Sequence, residues 1–432
     1  MANGQAVGRA SGMVVFAFGP LPGERARVRV TTVKPTYAVA NVLERLNDSP
    51  ARTQPFCPVF GECGGCQVQH LRYSAQLDWK RDVVRNALQR IGGLHAADVR
   101  AAVGMPVPRN YRNKMSLVVR HRRSAGAPVL GFYRQRSHDV VPIDGCPIVM
   151  PQLSAYVTTL RDAASASALS NARHVVCRAA RTSGEAVVTI TSTHASPALK
   201  AASQALLARL NGAVGVANSF DLGGENAILG RKSRVLAGRP YIEETIDGIR
   251  YRVSAGSFFQ VNVEMLARIF AALRPKLRAS MRVVDLYCGA GTFALFFARN
   301  GCHVYGIEEN AHAVAEAREN AQLNDLQARV QFHAGRAADA LERADARAAL
   351  AAADALFLDP PRKGSDEQTL SAVAEARVPV LWYLSCDPAT LARDLKFLTA
   401  KGYSLGSVQP FDMFPQTGHV EALAMLAFTS SP

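Results

Sequence analysis

Near its C-terminal end the chain reads V-L-W-Y-L-S-C-D-P-A-T-L-A-R-D, from Val380 to Asp394. An apolar run that stops at Ser385-Cys386-Asp387-Pro388 and passes into helix formers is the pattern of a buried parallel strand entering a loop and then a helix. Three earlier stretches belong to the same series. V-V-D-L-Y-C-G-A-G-T-F (283–293) gives strand, Gly-rich turn and helix; H-V-Y-G-I-E ends at Glu308; A-L-F-L-D-P-P-R-K-G (355–364) gives the fourth strand. Parallel strands alternating with helices predict an open, Rossmann-like α/β sheet over residues 251–432. Ligands of such sheets bind outside the carboxyl ends of the strands. Cys386 therefore stands where a nucleophile would be presented, although most lone cysteines are buried packing.

At 432 residues, 48% hydrophobic and 20% charged, the chain is long enough for two or three domains with a substantial core. It holds no run of about 18 apolar residues. Arg9, Glu24 and Arg25 interrupt any signal-peptide pattern. A cytoplasmic protein without a membrane segment is expected. In that reducing compartment the eight cysteines point to metal or catalytic work rather than disulfides. No obligate protein partner is indicated, so a monomer is expected. The formal charge of +15 falls almost entirely before residue 139, and residues 72–138 hold fourteen Lys/Arg against three Asp/Glu. A basic front ahead of a nearly neutral C-terminal part is the footprint of a polyanion, most simply nucleic acid.

Residues 1–50 alternate short β-rich runs with turns, and Ala26, Val28 and Val30 alternate with arginines as in a half-buried strand with a basic face. A small barrel of the OB type fits this. The segment V-F-A-F-G-P-L-P-G-E-R-A-R-V-R-V resembles a TRAM domain, an RNA-binding barrel. The short N-terminus leads us to expect an incomplete first strand. Residues 51–250 read as a central α+β region. Cys57, Cys63 and Cys66 have C-x5-C-x2-C spacing, and Cys146 follows in D-G-C-P-I. Four thiolates can enclose zinc or an iron–sulfur cluster; with only one C-x2-C knuckle, iron–sulfur is the preferred reading. From Gln76 to Ile91, Leu77, Val84, Leu88 and Ile91 form a helical stripe, with Lys80, Arg81, Arg85 and Arg90 placed mostly away from it. Arg109, Arg112, Lys114, Arg120, Arg122 and Arg123 are candidate phosphate contacts, and Tyr111 is a stacking ring or a core residue. A hairpin is expected through Gly126. Farther on, strands at 186–191 and 213–220 flank a helix at 197–210.

In the C-terminal part Gly289 and Gly291 let the backbone approach a ligand closely. Glu308 follows Asp285 by 23 residues, which puts a carboxylate where a ribose diol would lie. With no third glycine and no phosphate-binding lysine, a nucleoside without phosphates fits best, namely S-adenosylmethionine. D-P-P at the fourth strand's end is similar to the motif of amino-methyltransferases, but Arg362 follows where those carry an aromatic. A cysteine at the neighbouring strand's end suggests different chemistry. Carbon 5 of uracil is a poor nucleophile until a thiolate adds at carbon 6, and a base must later remove the carbon 5 proton. Cys386 and Glu421, the latter opening the last strand, supply that pair.

These motifs, together with Y-R-N-K, F-F-Q-V-N, D-P-P-R-x-G, S-C-D-P-x-T-L-A-R-D and F-P-x-T-x-H-V-E, resemble those of the bacterial RNA 5-methyluridine methyltransferases, in particular the RumA (RlmD) type acting on 23S ribosomal RNA. The resemblance covers nearly the whole chain. It implies Cys386 as nucleophile, Glu421 as base, and Cys57, Cys63, Cys66 and Cys146 as ligands of a 4Fe-4S cluster. It also implies Gln260, Tyr287, Glu308 and Asp359 around S-adenosylmethionine. The chain departs from the family at Asp387, Thr292 and Arg336, where those enzymes carry asparagine. Cys177, His174, Cys288 and Cys302 read as packing, His419 as a structural polar residue, and Asp285 as a cap on the loop backbone. Two rivals were weighed. Cytosine C5 methylation usually needs a second catalytic cysteine beside a proline, which is missing near residues 355–365. An RNA chaperone with an idle catalytic fold would not need the Cys386–Glu421 pair.

Overall fold

The computed structural model describes residues 4–121, 128–165, 169–195, 197–224, 227–254 and 256–429. Seven strands dominate the C-terminal part: β1 (Arg282–Leu286), β2 (His303–Glu308), β3 (Val330–Ala334), β4 (Ala355–Leu358), β5 (Val380–Ser385), β6 (Tyr403–Phe411) and β7 (Glu421–Phe428). They lie in the order β3-β2-β1-β4-β5-β7-β6, and the two-residue strand Asp98–Val99 extends the β6 edge. β1 to β5 are mutually parallel. β7 runs antiparallel between β5 and β6. All four residues of β4 are fully buried, as a parallel sheet covered on both faces requires. One face packs Phe293, Phe297, Phe357 and Trp382, and the other packs Leu356, Leu358, Tyr383 and Leu391. The expected Rossmann-like sheet is present.

Elements from earlier in the chain complete this core. The hairpin Tyr241–Ile246/Ile249–Ser254 turns at Asp247-Gly248, both at positive φ, and buries Ile242, Ile249, Tyr251 and Val253 in the same cluster as Phe293. The core around the sheet thus begins before residue 251. The helix Tyr73–Arg90 packs on the helix Pro388–Ala400 and sends Val84 and Leu88 into the second cluster.

The central region forms a seven-stranded sheet whose middle strands are Ala186–Ser192, Ala172–Ala179 and Lys114–Arg120. The helix Pro197–Arg209 joins Ala186–Ser192 to its parallel neighbour Ala213–Phe220, close to the expected bounds. At the N-terminus, Gln5–Ala10, Met13–Phe18, Tyr37–Arg45 and Ala26–Val33 pair in that order. The first strand is paired over its whole length with the second, so it is not incomplete. Among the described residues the ladder is an open four-stranded sheet with Gln5–Ala10 and Ala26–Val33 at its edges, rather than a closed barrel. No helix of the described residues is long and apolar enough to cross a membrane.

The basic stretch is not one solvated face. Lys80, expected away from the apolar stripe, is 0% exposed and ion-paired with Asp412, and its Nζ also donates to the Phe414 carbonyl at 3.0 Å. Burial pulls its pKa down while Asp412 pulls it back up. The i,i+4 spacing in fact puts Lys80 on the same face as Val84 and Leu88; what the sequence did not show is its charged partner, over 300 residues away. Arg109 lies over the Phe56 ring at 3.8 Å, and Arg120 donates to the His138 carbonyl at 2.7 Å. Burial, Arg178 and Arg112 bring Lys114 down to about 8. Tyr111 is 1% exposed with its hydroxyl on the Pro415 carbonyl at 3.0 Å, so it is core and not a stacking ring. Arg122, Arg123 and the expected Gly126 hairpin lie outside the described residues.

Removing one member of a buried ion pair strands the other charge. Lys80→Met is expected to destabilise the protein by about 3–5 kcal/mol. Adding Asp412→Leu should restore much of that loss, and urea midpoints of the single and double variants check both statements.

Candidate active site

The loop after β1 is built by glycine and by Glu308. Gly291 is at φ +84°, and a Cβ there would lie 3.2 Å from that of Ala317, so the close turn suits glycine. Because β2 pairs with β1, the end of β2 reaches this loop: Glu308 Oε2 accepts from the Gly289 amide at 3.1 Å and Oε1 from Asn310 N at 2.8 Å. Asn320 accepts from Arg252 N at 2.7 Å and donates to the Ala290 carbonyl at 3.3 Å, fastening the hairpin to the same loop. Tyr287 is a non-glycine residue at φ +68°, and strain of this kind collects at ligand sites. Its ring packs against the cluster containing Leu358 and Leu370.

The expected cap by Asp285 is not formed. It is 1% exposed and neither carboxylate oxygen has a hydrogen-bond partner. Burial, reinforced by Asp359 and Glu308, pushes its pKa well up.

The antiparallel entry of β7 creates the second half of the site. Ser385 of β5 pairs with Ala422 of β7, so Cys386 and Glu421 are the next residues at two adjoining strand ends. Asp359 sits at the end of β4, the other neighbour of β5. Glu421 is 2% exposed; burial, then Asp359, raises its pKa strongly, against the opposing charge of Arg362. Burial likewise raises Asp359. The Cys386 thiol is pushed up to about 11 by burial, then by Glu421 and Asp359, with Arg362 again opposing. Arg362 is thus the guanidinium that faces this acidic cleft, a role that its place after D-P-P only hinted at.

Two anchors shape the loops. Asp394, fully buried, accepts from Ser365 N at 3.0 Å, from the Tyr383 hydroxyl at 2.5 Å and from Arg393 Nε at 2.7 Å. It holds the loop that carries Asp359 and Arg362, and its position inside a helical pattern gave no sign of this. Asp387 caps the helix Pro388–Ala400 by accepting from Ala389 N at 2.9 Å and Thr390 N at 3.1 Å. Aspartate caps as well as asparagine, so this departure leaves the turn beside Cys386 intact. At the other two departures, Thr292 accepts through its carbonyl from the Tyr251 hydroxyl at 3.0 Å, and Arg336 lies 3.9 Å from Asp339 on the surface.

Gln260 is buried, and its carbonyl accepts from Asn113 Nδ2 at 3.1 Å. Two residues earlier Phe258 is 74% exposed beside the buried Phe259. It was missed in the sequence because adjacent phenylalanines do not reveal which one faces solvent.

Cys57, Cys63, Cys66 and Cys146 line one cavity of about 800 Å³ together with Arg112, Lys114 and Arg134. Cys66 is pushed up to about 12, first by burial and then by the other three thiols. The Gly65 amide donates to Cys63 Sγ at 3.4 Å. Among the described residues, no group of three or more His, Cys, Asp or Glu side chains is gathered tightly enough to hold a metal ion.

Comparison with known proteins places the chain. The family described as tRNA (Uracil-5-)-methyltransferase matches residues 72–428, and the TRAM domain matches residues 2–43. A protein of Halalkalibacterium halodurans described as an uncharacterized RNA methyltransferase is 38% identical, covering 98% of this chain and 94% of its own length. One of Thermosynechococcus vestitus, with the same description, is 38% identical over 98% of this chain and 95% of its own. The structure of Pyrococcus abyssi tRNA (uracil-54, C5)-methyltransferase with S-adenosyl-L-homocysteine shares the fold, with a TM-score of 0.75 at 23% identity over 98% of this chain and all of that one. With such a match over most of its length, the chain belongs to the tRNA (uracil-5-)-methyltransferase family, S-adenosylmethionine-dependent RNA methyltransferases, and carries a TRAM domain ahead of the catalytic fold.

Proposed function

We propose that the chain methylates carbon 5 of a uridine in RNA through a covalent adduct on Cys386. The observation that carries this reading is the adjacency of Cys386 and Glu421 at the ends of β5 and β7. The Cys386 thiolate adds to carbon 6 and leaves an enolate, whose carbon 5 attacks the sulfonium methyl of S-adenosylmethionine, breaking the sulfur–methyl bond and releasing S-adenosylhomocysteine. Glu421 then takes the carbon 5 proton, the 5,6 double bond re-forms, and the carbon–sulfur bond breaks with its electrons returning to sulfur. Glu308, fixed on the Gly-rich loop, is suited to a ribose diol. Asp359, Gln260 and the strained Tyr287 complete the cofactor pocket in this reading. Phe258 offers an exposed ring on which an unstacked base can lie.

The cysteine cavity fits a 4Fe-4S cluster held by Cys57, Cys63, Cys66 and Cys146. Such a cluster takes one thiolate on each iron, and the single C-x2-C knuckle favours it over a zinc ribbon. With four cysteine ligands its irons would be coordinatively closed, and its contribution would be structural. The target RNA in this reading is 23S ribosomal RNA, on the strength of the motif set that includes C-x5-C-G-G-C. Nucleoside mass spectrometry of RNA from cells with and without the gene, followed by site mapping, tests that choice; a 5-methyluridine lost from transfer RNA would overturn it.

The two catalytic roles should separate on a denaturing gel. Glu421→Ala should methylate and then stall as a protein–RNA adduct, because a carbon 5 bearing both methyl and hydrogen cannot release the thiolate. Cys386→Ala should bind RNA and cofactor yet form no adduct, and a 5-fluorouridine RNA should trap the wild type. Turnover retained in Cys386→Ala would end the covalent scheme.

The thiol's environment has a pH signature. Alkylation of Cys386, followed by peptide mass spectrometry in the free protein, should accelerate with pH up to a midpoint of about 11. Glu421→Gln removes a neighbouring negative charge that disfavours the thiolate, so the midpoint should fall.

Protein purified without oxygen should be brown, with about four irons per chain. Stoichiometric zinc without iron would sink the cluster assignment.

A further inference from the structure

The segment that leads into Glu421 is tied to the cysteine-rich loop by bonds that the chemistry above does not use. Gln67 directly follows Cys66. Its Nε2 donates to the Gly64 carbonyl at 2.8 Å, between Cys63 and Cys66, and its Oε1 accepts from the Gly418 amide at 3.2 Å, three residues before Glu421. The Gln67 and Val68 amides donate to the Gln416 carbonyl at 3.0 and 3.2 Å. Gln416 is 3% exposed and sits at φ +70°, a conformation that favours glycine. Its backbone amide donates to Gln76 Oε1 at 3.2 Å, its Oε1 accepts from Gln76 Nε2 at 2.9 Å, and its Nε2 donates to the Pro108 carbonyl at 3.3 Å. Every hydrogen-bonding group of this residue is thus engaged.

We infer that Gln67 and Gln416 are positioning residues through which the cysteine loop sets the place of Glu421, so that proton removal from carbon 5 depends on the cysteine site. The inference rests on the reading of Glu421 as the base. An amide side chain suits the bridge because it donates at one end and accepts at the other. It clasps a carbonyl inside the cysteine loop and an amide inside the loop of the base. If the cysteine loop relaxes, Gly64 and Gly418 lose their shared clasp and the start of β7 loses its register with Cys386. Cys386, Asp359 and Glu308 lie on other strand ends and keep their places. Thiolate addition and methyl transfer therefore proceed, while removal of the carbon 5 proton, and with it re-formation of the double bond and breakage of the carbon–sulfur bond, slows. A displacement of about 1 Å costs on the order of 100-fold in such a step.

Gln67→Leu removes both ends of the clasp at a half-buried position. Single-turnover assays with radiolabelled S-adenosylmethionine should show methyl transfer at the wild-type rate but elimination roughly 10- to 100-fold slower, so that methylated protein–RNA adduct accumulates on a denaturing gel. Cofactor affinity and melting temperature should match wild type. Wild-type protein stripped of metal by a chelator should accumulate the same adduct, provided that its cofactor affinity is retained. Elimination at the wild-type rate in Gln67→Leu would overturn the inference. So would equal losses of cofactor binding, methyl transfer and elimination, which mark a general structural role. Glu421→Ala run alongside separates the two readings: adduct there but not in Gln67→Leu rejects the link alone, and no adduct in Glu421→Ala rejects the base and the link with it.

Discussion

Like charges crowd one low-dielectric cleft at the carboxyl ends of β1, β2, β4 and β5. Asp285, Glu308, Asp359, Glu421 and the Cys386 thiol gather there, and the Arg362 guanidinium faces Cys386 and Glu421. Burial raises the proton affinity of Asp285, Asp359, Glu421 and the Cys386 thiol. These four groups thus hold protons more tightly than they would in water. The surrounding structure can be understood as what keeps these groups together despite their mutual repulsion.

Three devices do this, each from a different part of the chain. The two-sided apolar packing of β1, β4 and β5 fixes the strand ends from below. Asp394 gathers Ser365, Tyr383 and Arg393 and so clamps the loop bearing Asp359 and Arg362. The Lys80–Asp412 pair, together with Tyr111 on Pro415 and Asn262 on Met413, fastens the loop that precedes Glu421 to the helix Tyr73–Arg90 and to the segments around it. The residues N-terminal to the catalytic sheet are therefore part of how its last strand is aimed.

How much of this was legible follows from the range of each interaction. Cys386, Asp359 and Glu308 could be placed at strand ends because an apolar run and the turn that closes it are local in sequence. Glu421 could be placed at the head of a strand for the same reason. Their adjacency could not be derived from pattern alone, since it depends on β7 running backwards between β5 and β6, and strand order leaves no local trace. Lys80 shares the i,i+4 face of Val84 and Leu88, so its burial is legible in the helix itself, whereas its partner Asp412 and the Pro415 carbonyl that holds Tyr111 come from a distant segment. Asp285 looked like a loop cap because its spacing allows one, yet Glu308, delivered by the neighbouring strand, occupies the Gly289 amide instead. Asp394 stayed hidden because a buried carboxylate inside a helix reads like any other helical residue.

These elevated proton affinities oppose catalysis in the free protein, since a thiol near 11 is a poor source of thiolate and burial disfavours the carboxylate form of Glu421. The methyl donor resolves this in the proposed mechanism. A sulfonium entering the cleft brings the positive charge that its acids lack, and at short range in a medium poorer than water that charge favours carboxylate and thiolate alike. After the donor binds, the nucleophile and the base become competent together. The methyl transfer then removes the sulfonium charge, so Glu421 regains its affinity for a proton at the moment carbon 5 has one to give up.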